Sequence, residues 1–343
     1  MTNSRKFRFI SVLMTGLFTA GTALAADVSE FYKGKTINII VPAGPASGYD
    51  IYARLMSEHF PRHMPGNPTV IVQNMPGAGG VKAARYFSTV GKTDGTELLL
   101  SPQTIGTDEA LGLLGDTVDV ASFNWIGRFT TNVPVGVASA ASGVKTAQEL
   151  KDREVVFAGT SARSPAIVFP TALNVLAGTK MKIVSGFDDT RQTFLAMLQG
   201  EVDGLVLGWA GLKSSNKDLL DKGELVVLFQ GTATPHPDLP EVPTIVDLAE
   251  GEANKTAMRF IASSSEIGRS IAAHPDVPQD RLEALREAFV AMLADPEFIK
   301  DAETRNMELV ASSGYEELDA VISQTLGVDA SVIALVKETL GLK

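Results

Sequence analysis

Cysteine is absent from the 343 residues. That excludes disulfides, thiolate metal sites, cysteine nucleophiles and lipidated cysteines. Histidine is scarce at 4 residues and tryptophan at 2. Positive charge is outnumbered, with 30 Lys and Arg against 40 Asp and Glu and a formal net charge of −10. A polyanion-binding surface needs a basic field, so nucleic acid is not an expected partner. Beyond the N-terminus no run approaches the roughly 18 apolar residues of a membrane span. What remains is a chain with 45% hydrophobic and 20% charged residues, the balance of a packed globular protein long enough for two domains.

The first 25 residues read as an address. Arg5, Lys6 and Arg8 precede a mostly apolar stretch over 9–17, and Ala23-Leu24-Ala25 supplies the small residues of a cleavage site, the three-part pattern of a secretory signal. Ser11, Thr15, Gly16 and Thr19 make the segment too short and polar for a good membrane anchor. Cleavage removes three positive charges and no negative one, leaving 318 residues with a formal charge of −13. An exported, acidic chain without cysteine fits the periplasm.

Strand-like and helical patterns alternate after the signal. Strands are expected over 36–41, 69–73, 97–100, 133–138, 155–159, 180–185, 204–207 and 226–230, and helices over 50–60 and 81–90. This alternation predicts parallel, doubly wound sheets. Pro235, Pro237, Pro240 and Pro243 then punctuate a stretch read as a surface crossing, and from Gln279 the pattern is mainly helical.

Four junctions between a strand and a helix carry the candidate site, because such loops gather at the carboxyl edge of an open sheet. The first runs from Pro42 to Asp50, where Gly44, Ser47 and Gly48 allow a tight turn into a helix whose first N–H groups lack partners. The second is Asn74-Met75-Pro76-Gly77-Ala78-Gly79-Gly80, an amide-lined concavity. The third holds Thr160 and Ser161 as hydroxyl donors and Arg163 as a carboxylate fork. In the fourth, Phe187 offers an apolar wall and Asp188 or Asp189 a helix cap. Gln103 and Thr104, after the strand at 97–100, and Trp209, after the strand at 204–207, complete the candidate ligand contacts.

Backbone N–H groups of Gly79, Gly80 and Ser47 are expected to grip one carboxylate. A hydrogen bond to a charged group contributes about 1.5–3 kcal/mol. Three or four therefore suffice for micromolar affinity, about −8 kcal/mol, after association costs. No lysine cluster is needed.

Catalytic and metal motifs do not complete. Lys82 stands where a dinucleotide fingerprint needs its third glycine, 44–48 lacks a P-loop Lys-Ser/Thr, and Gly159-Thr160-Ser161-Ala162-Arg163 misses the closing glycine of a nucleophile elbow. His59 and His63 have zinc spacing, but Pro61 intervenes and no Glu follows His59. Arg54, four residues after Asp50, reads as its ion-pair partner. The expectation is no metal, no cofactor and no catalysis.

The stretches FYKGKTINIIVPAGPASGYDIYAR and VIVQNMPGAGGVKAARYF, followed by GTSARSP, LAMLQGEVDG, HPDLPEVPT and IGRSIAAHPDVPQDRLEALREAF, resemble the receptors of tripartite tricarboxylate transporters, the TctC or Bug type of periplasmic solute-binding protein. The resemblance spans 28–343. It implies an α/β, type II (Venus-flytrap) fold with doubly wound sheets and a helical C-terminal region, lobe one taking 27–128 plus 234–343 and lobe two 129–233. It further implies a monomeric receptor that closes over a small carboxylate, a di- or tricarboxylate or an aromatic acid, and hands it to one large and one small membrane subunit. By resemblance the loops at Gly44–Asp50 and Asn74–Gly80 hold the proximal carboxylate, and those at Gly159–Arg163 and Gly186–Arg191 form the far wall. Two departures mark that wall. The third loop lacks the family's nearby histidine, and the fourth has Val184-Ser185-Gly186 in place of Tyr-Lys-Gly. A secreted two-lobed enzyme acting on a small acid, and a receptor reporting to a membrane sensor, are the alternatives.

Overall fold

Short runs of β-branched and aliphatic residues set the strands. The computed structural model describes residues 27–160, 162–187, 189–309 and 314–342, so the signal-peptide reading of 1–25 lies outside the described residues, as do Ser161 and Asp188. The described residues form ten strands: β1 Thr36–Val41, β2 Thr69–Asn74, β3 Glu97–Leu100, β4 Asn124–Thr130, β5 Pro134–Ser139, β6 Val155–Gly159, β7 Met181–Ser185, β8 Gly204–Gly208, β9 Leu225–Gln230 and β10 Arg269–Ala273. They form two five-stranded sheets, ordered β2-β1-β3-β10-β4 and β7-β6-β8-β5-β9. Helices cover both faces of each sheet.

Each sheet is covered twice, which is why its strands read as continuous apolar runs. Ile37 and Ile39 face one cluster with Leu55, Phe289 and Phe298, while Ile40 and Leu99 face another with Phe87, Trp125 and Ile322. In the second sheet Phe157, Val206 and Phe229 pack against Leu173 and Ile261, and Val135, Val137 and Leu205 against Met197 and Leu212. The segment after residue 234 serves both lobes. Ile245, Ala257, Ile261, Val332 and Val336 join the second sheet, whereas Ile271, Leu285 and Phe298 join the first.

The expectation of parallel sheets is corrected. β1, β2 and β3 are parallel, as are β6, β7 and β8, but β10 runs antiparallel to both β3 and β4, and β5 antiparallel to both β8 and β9. Both reversals follow from the crossings between lobes. The chain leaves the first sheet through Thr131–Val133 and returns through the Glu252–Ile267 helix into β10. These crossings touch one another: Asn132 N–H donates to Ser265 O at 2.9 Å, and the Ser265 hydroxyl to Gly231 O at 2.7 Å.

Two strands escape the alternating pattern. β4 carries Gly127 and a buried Arg128 that donates to the Glu266 carbonyl and to the Glu317 carboxylate, so its burial is not periodic. β10 is Arg-Ser-Ile-Ala-Ala, composed like the helix before it. Gly268 ends that helix at φ +56°, and a Cβ there would stand 2.0 Å from Thr130 O. Only glycine fits.

Candidate functional site

The ends of the parallel strands and the starts of the reversed ones meet at one edge of each sheet. Between these edges lies a cleft of about 810 Å³. On the first lobe it is lined by Gly48, Tyr52, Thr130, Thr131, Arg269 and the 305–308 segment, and on the second by Thr160, Pro165, Thr190, Arg191, Leu207 and Gly208 among others.

The first loop is built around Asp50. Ser47 is the N-cap of the Gly48–His59 helix, its Oγ accepting from Asp50 N–H at 3.2 Å. The buried Asp50 carboxylate accepts from Ala46 N–H and Arg54 Nε, both at 2.8 Å, and from Asn74 Nδ2 at 2.9 Å. Burial alone would raise its pKa, but the hydrogen bonds from Arg54, Ala46 and Asn74 outweigh it and hold the carboxyl below the usual range. Asp50 therefore braces the loop and ties it to β2, whose Asn74 also donates to Ala43 O at 3.0 Å. Gly44 lies behind the same turn, its carbonyl accepting from Ser47 N–H at 3.3 Å. Of this loop only Gly48 lines the cleft.

The second loop has positive φ over its last four residues, +146°, +48°, +66° and +101° at Gly77, Ala78, Gly79 and Gly80. A Cβ on Gly80 would stand 2.4 Å from Pro102. Gly80 N–H donates to Gly77 O at 3.0 Å. The expectation that Ser47, Gly79 and Gly80 present free N–H groups is thus corrected at two positions, because Ser47 and Gly80 close turns inside their own loops. Pro76, Gly77, Ala78 and Gly79 are exposed and lie outside the cleft lining.

Arg163 does not face the cleft either. Its guanidinium binds the carboxylate of Asp108, a buried residue of the Ile105–Ala110 helix on the first lobe, and its Nε lies 3.7 Å from where a Gly79 Cβ would be. Burial pushes the Asp108 carboxyl up, and Arg163 and the Thr104 hydroxyl at 2.8 Å partly offset this. Arg163 is a bridge between lobes, and Thr104 orients the other half of that bridge beside a separate crevice of about 90 Å³. Trp209 is also corrected: it is buried among Val133, Leu205 and Leu212, and its indole N–H donates to Asp238 at 3.0 Å. Phe187 packs against the same cluster. Thr160 lines the cleft.

Gln103 occupies the layer behind the cleft. Its buried Oε1 accepts from Asn132 Nδ2 at 2.7 Å and from Arg269 Nη1 at 3.0 Å, and its N–H donates to the Tyr49 hydroxyl at 3.0 Å. The Arg269 guanidinium stacks on the Tyr49 ring, 3.9 Å from its centroid. A Cβ on Gly48 would stand 3.6 Å from Arg269 Nη2, so the guanidinium lies beside the start of the Gly48–His59 helix.

Sequence reasoning missed Arg269 because it inspected exits from strands, whereas β10 is reversed and presents its entrance at this edge. The signal available was Gly268-Arg269 closing a long helix. The 305–308 segment was missed as well. It enters the cleft after the Pro296–Thr304 helix, turning at Asn306 with φ +53°. Tyr52 donates to the Glu308 carbonyl at 2.7 Å, and burial pushes its hydroxyl up to about 12. Burial likewise raises the Glu308 carboxyl, countered by His236.

On the outer face of the first lobe, Glu58, His59 and Asp301 come within 4.8 Å of one another. Glu58 is paired with Arg305, and Asp301 with His59 Nε2 at 2.8 Å. His63, the other half of the zinc-like spacing, binds Asp295 at 2.9 Å. The spacing therefore serves contacts with the C-terminal helices.

Residues 131–321, more than half of the chain, match the family of phosphonate ABC-transporter periplasmic substrate-binding proteins. A UPF0065 protein of Bordetella bronchiseptica is 25% identical over 279 residues, covering 80% of this chain and 78% of that protein. Among solved structures, a TctC solute-binding protein from Polaromonas superposes with a TM-score of 0.65 at 19% identity, over 90% of this chain and 99% of that one. An R. palustris protein solved with adipate superposes with a TM-score of 0.62 at 16% identity, over 90% and 97%.

Proposed function

The chain belongs to this family of periplasmic substrate-binding proteins and has the fold of the TctC and Bug receptors, and from that premise we propose that it captures a small carboxylate in the periplasm for a tripartite tricarboxylate-type transporter. The observation that carries this reading is the charge of the cleft. In a chain of formal charge −10, its lining holds three arginines and a single acid, Glu308. Such local inversion favours a small anion over a polymer, because salt screens the distant acidic field within about 8 Å while contacts at hydrogen-bond range persist.

Closure follows from the same geometry. A solute that touches both walls only when the lobes are shut stabilises the shut state by its differential affinity. The role is that of a carrier with no chemical step, acting as a monomer that presents its closed form to one large and one small membrane subunit. The adipate-bound relative adds support for a carboxylate. The family description supports a second oxyanion, a phosphonate.

Thermal unfolding of the mature protein with a panel of mono-, di- and tricarboxylates, aromatic acids and alkylphosphonates tests the proposal. At a hundredfold excess over Kd a true ligand stabilises by about 2.7 kcal/mol, a shift of a few degrees for a chain of this size. A carboxylate giving that shift supports the reading. Stabilisation by phosphonates alone replaces the ligand, and no response to any oxyanion overturns it.

A further inference from the structure

We propose that Arg269 is the residue that selects the anion, and that Arg191 on the facing wall reads a second acidic group, so that the solute carries two carboxylates. This rests on the receptor reading above and assigns the charge recognition of that site to two side chains.

Three arginines line the cleft, and Arg305 is bound to Glu58. Among the described residues neither Arg191 nor Arg269 has a carboxylate partner. Arg269 is nonetheless held in place. The Tyr49 ring supports one face of its guanidinium, Gln103 accepts from Nη1, and Asn132 holds Gln103 in turn. The Nη2 edge is left beside Gly48, at the positive end of a 12-residue helix. The guanidinium and the helix start together favour an anion placed between them. The rigid planar fork and the helix N–H groups then bind one carboxylate from two sides.

Arg191 is differently placed. It is the second residue of the Thr190–Leu198 helix, is exposed, and lines the cleft from the second lobe. An acid held by the first wall alone has no reason to favour closure. A second carboxylate that reaches Arg191 only when the lobes shut supplies that difference. Charge recognition and closure are then one event.

Calorimetric titration of the mature protein with diacids from succinate to suberate, each against the monoacid of equal length, tests the assignment. Wild type is expected to bind its best diacid at least about tenfold more tightly than the matching monoacid, the loss expected for one charged hydrogen bond. Arg191→Gln should abolish that preference by bringing the diacid down to the affinity of the matching monoacid. Arg269→Gln should weaken both acids about tenfold or more, and Arg269→Lys, which keeps the charge and the stacking stem, should recover only part. An Arg191→Gln protein with the wild-type preference overturns the inference. So does an Arg269→Lys protein, folded by circular dichroism, that binds as wild type does. Carboxylate binding indifferent to both residues overturns this assignment alone, whereas a wild type that binds no acid of the series overturns the carboxylate reading with it.

Discussion

The two walls of the cleft are built differently. On the first lobe the polar side chains at and behind the cleft are tied to one another. Asp50 collects Ala46, Arg54 and Asn74, and Gln103 collects Asn132, Arg269 and Tyr49. On the second lobe Thr190 and Arg191 are exposed at a helix start whose Asp189 cap accepts from the Gln192 N–H at 2.9 Å, and Leu195 stands 48% exposed on the same helix. The first wall is prearranged and the second is free to adapt. This division suits a receptor in which one lobe sets the charge of the solute and the other completes the enclosure.

The comparison breaks most completely at Gly268. Placing Ala there forces a Cβ into Thr130 O at a backbone φ of +56°, where strain and overpacking together cost about 3 kcal/mol or more. Denaturant unfolding should show that loss, and binding should fall with it because Arg269 is the next residue. An unchanged midpoint would mean that the crossing tolerates a shift.

A smaller effect is expected at Asp50. Asp50→Ala removes the acceptor of the Ala46 N–H, of Arg54 Nε and of one of the two Asn74 amide hydrogen bonds, with a cost of about 2–3 kcal/mol. Calorimetric unfolding should record the loss, and the affinity of the first wall should decline. Thr190→Ala on the opposite wall, where no buried partner is lost, should change stability by less than about 0.5 kcal/mol. Equal losses from both substitutions would erase the contrast between the walls.

The smallest effect is one of pH. Asp295, N-cap of the helix that leads into the 305–308 segment, has its pKa lowered to about 2, first by the Arg62 hydrogen bond, then by the Glu297 N–H, with His63 adding to the effect. A carboxyl with a depressed folded pKa stabilises fully above its unfolded value, near 4, and loses that contribution as pH falls toward 2. Asp295→Asn should therefore lower the melting temperature at pH 6 and converge with wild type near pH 2. A constant difference across that window would assign the effect to lost packing.

Much of the scaffold was legible from local chemistry. Runs such as TINIIV and VVFAG became β1 and β6, and the aspartate at 189 became a helix cap, because burial on both faces and capping are settled by a few neighbouring residues. The Asp50–Arg54 pair followed from spacing alone. What could not be read was the use of the loops. Glycine-rich turns announce a tight backbone, but Ser47 and Gly80 spend their N–H groups within those turns, and Arg163 turns toward Asp108 instead of the cleft. Two of these donors are taken by partners three residues back, and the third by one 55 residues away.

The sequence alone determined an α/β chain with glycine turns at strand exits, since periodicity, capping and glycine conformation act over a few residues, and the family resemblance implied the two lobes. Only the tertiary structure decided which charges line the cleft. Arg269 reaches the cleft because β10 runs backwards between β3 and β4, and Glu308 because the chain returns to the first lobe after visiting the second. Strand direction and chain return are set by the packing of distant segments, and no window of neighbouring residues encodes them.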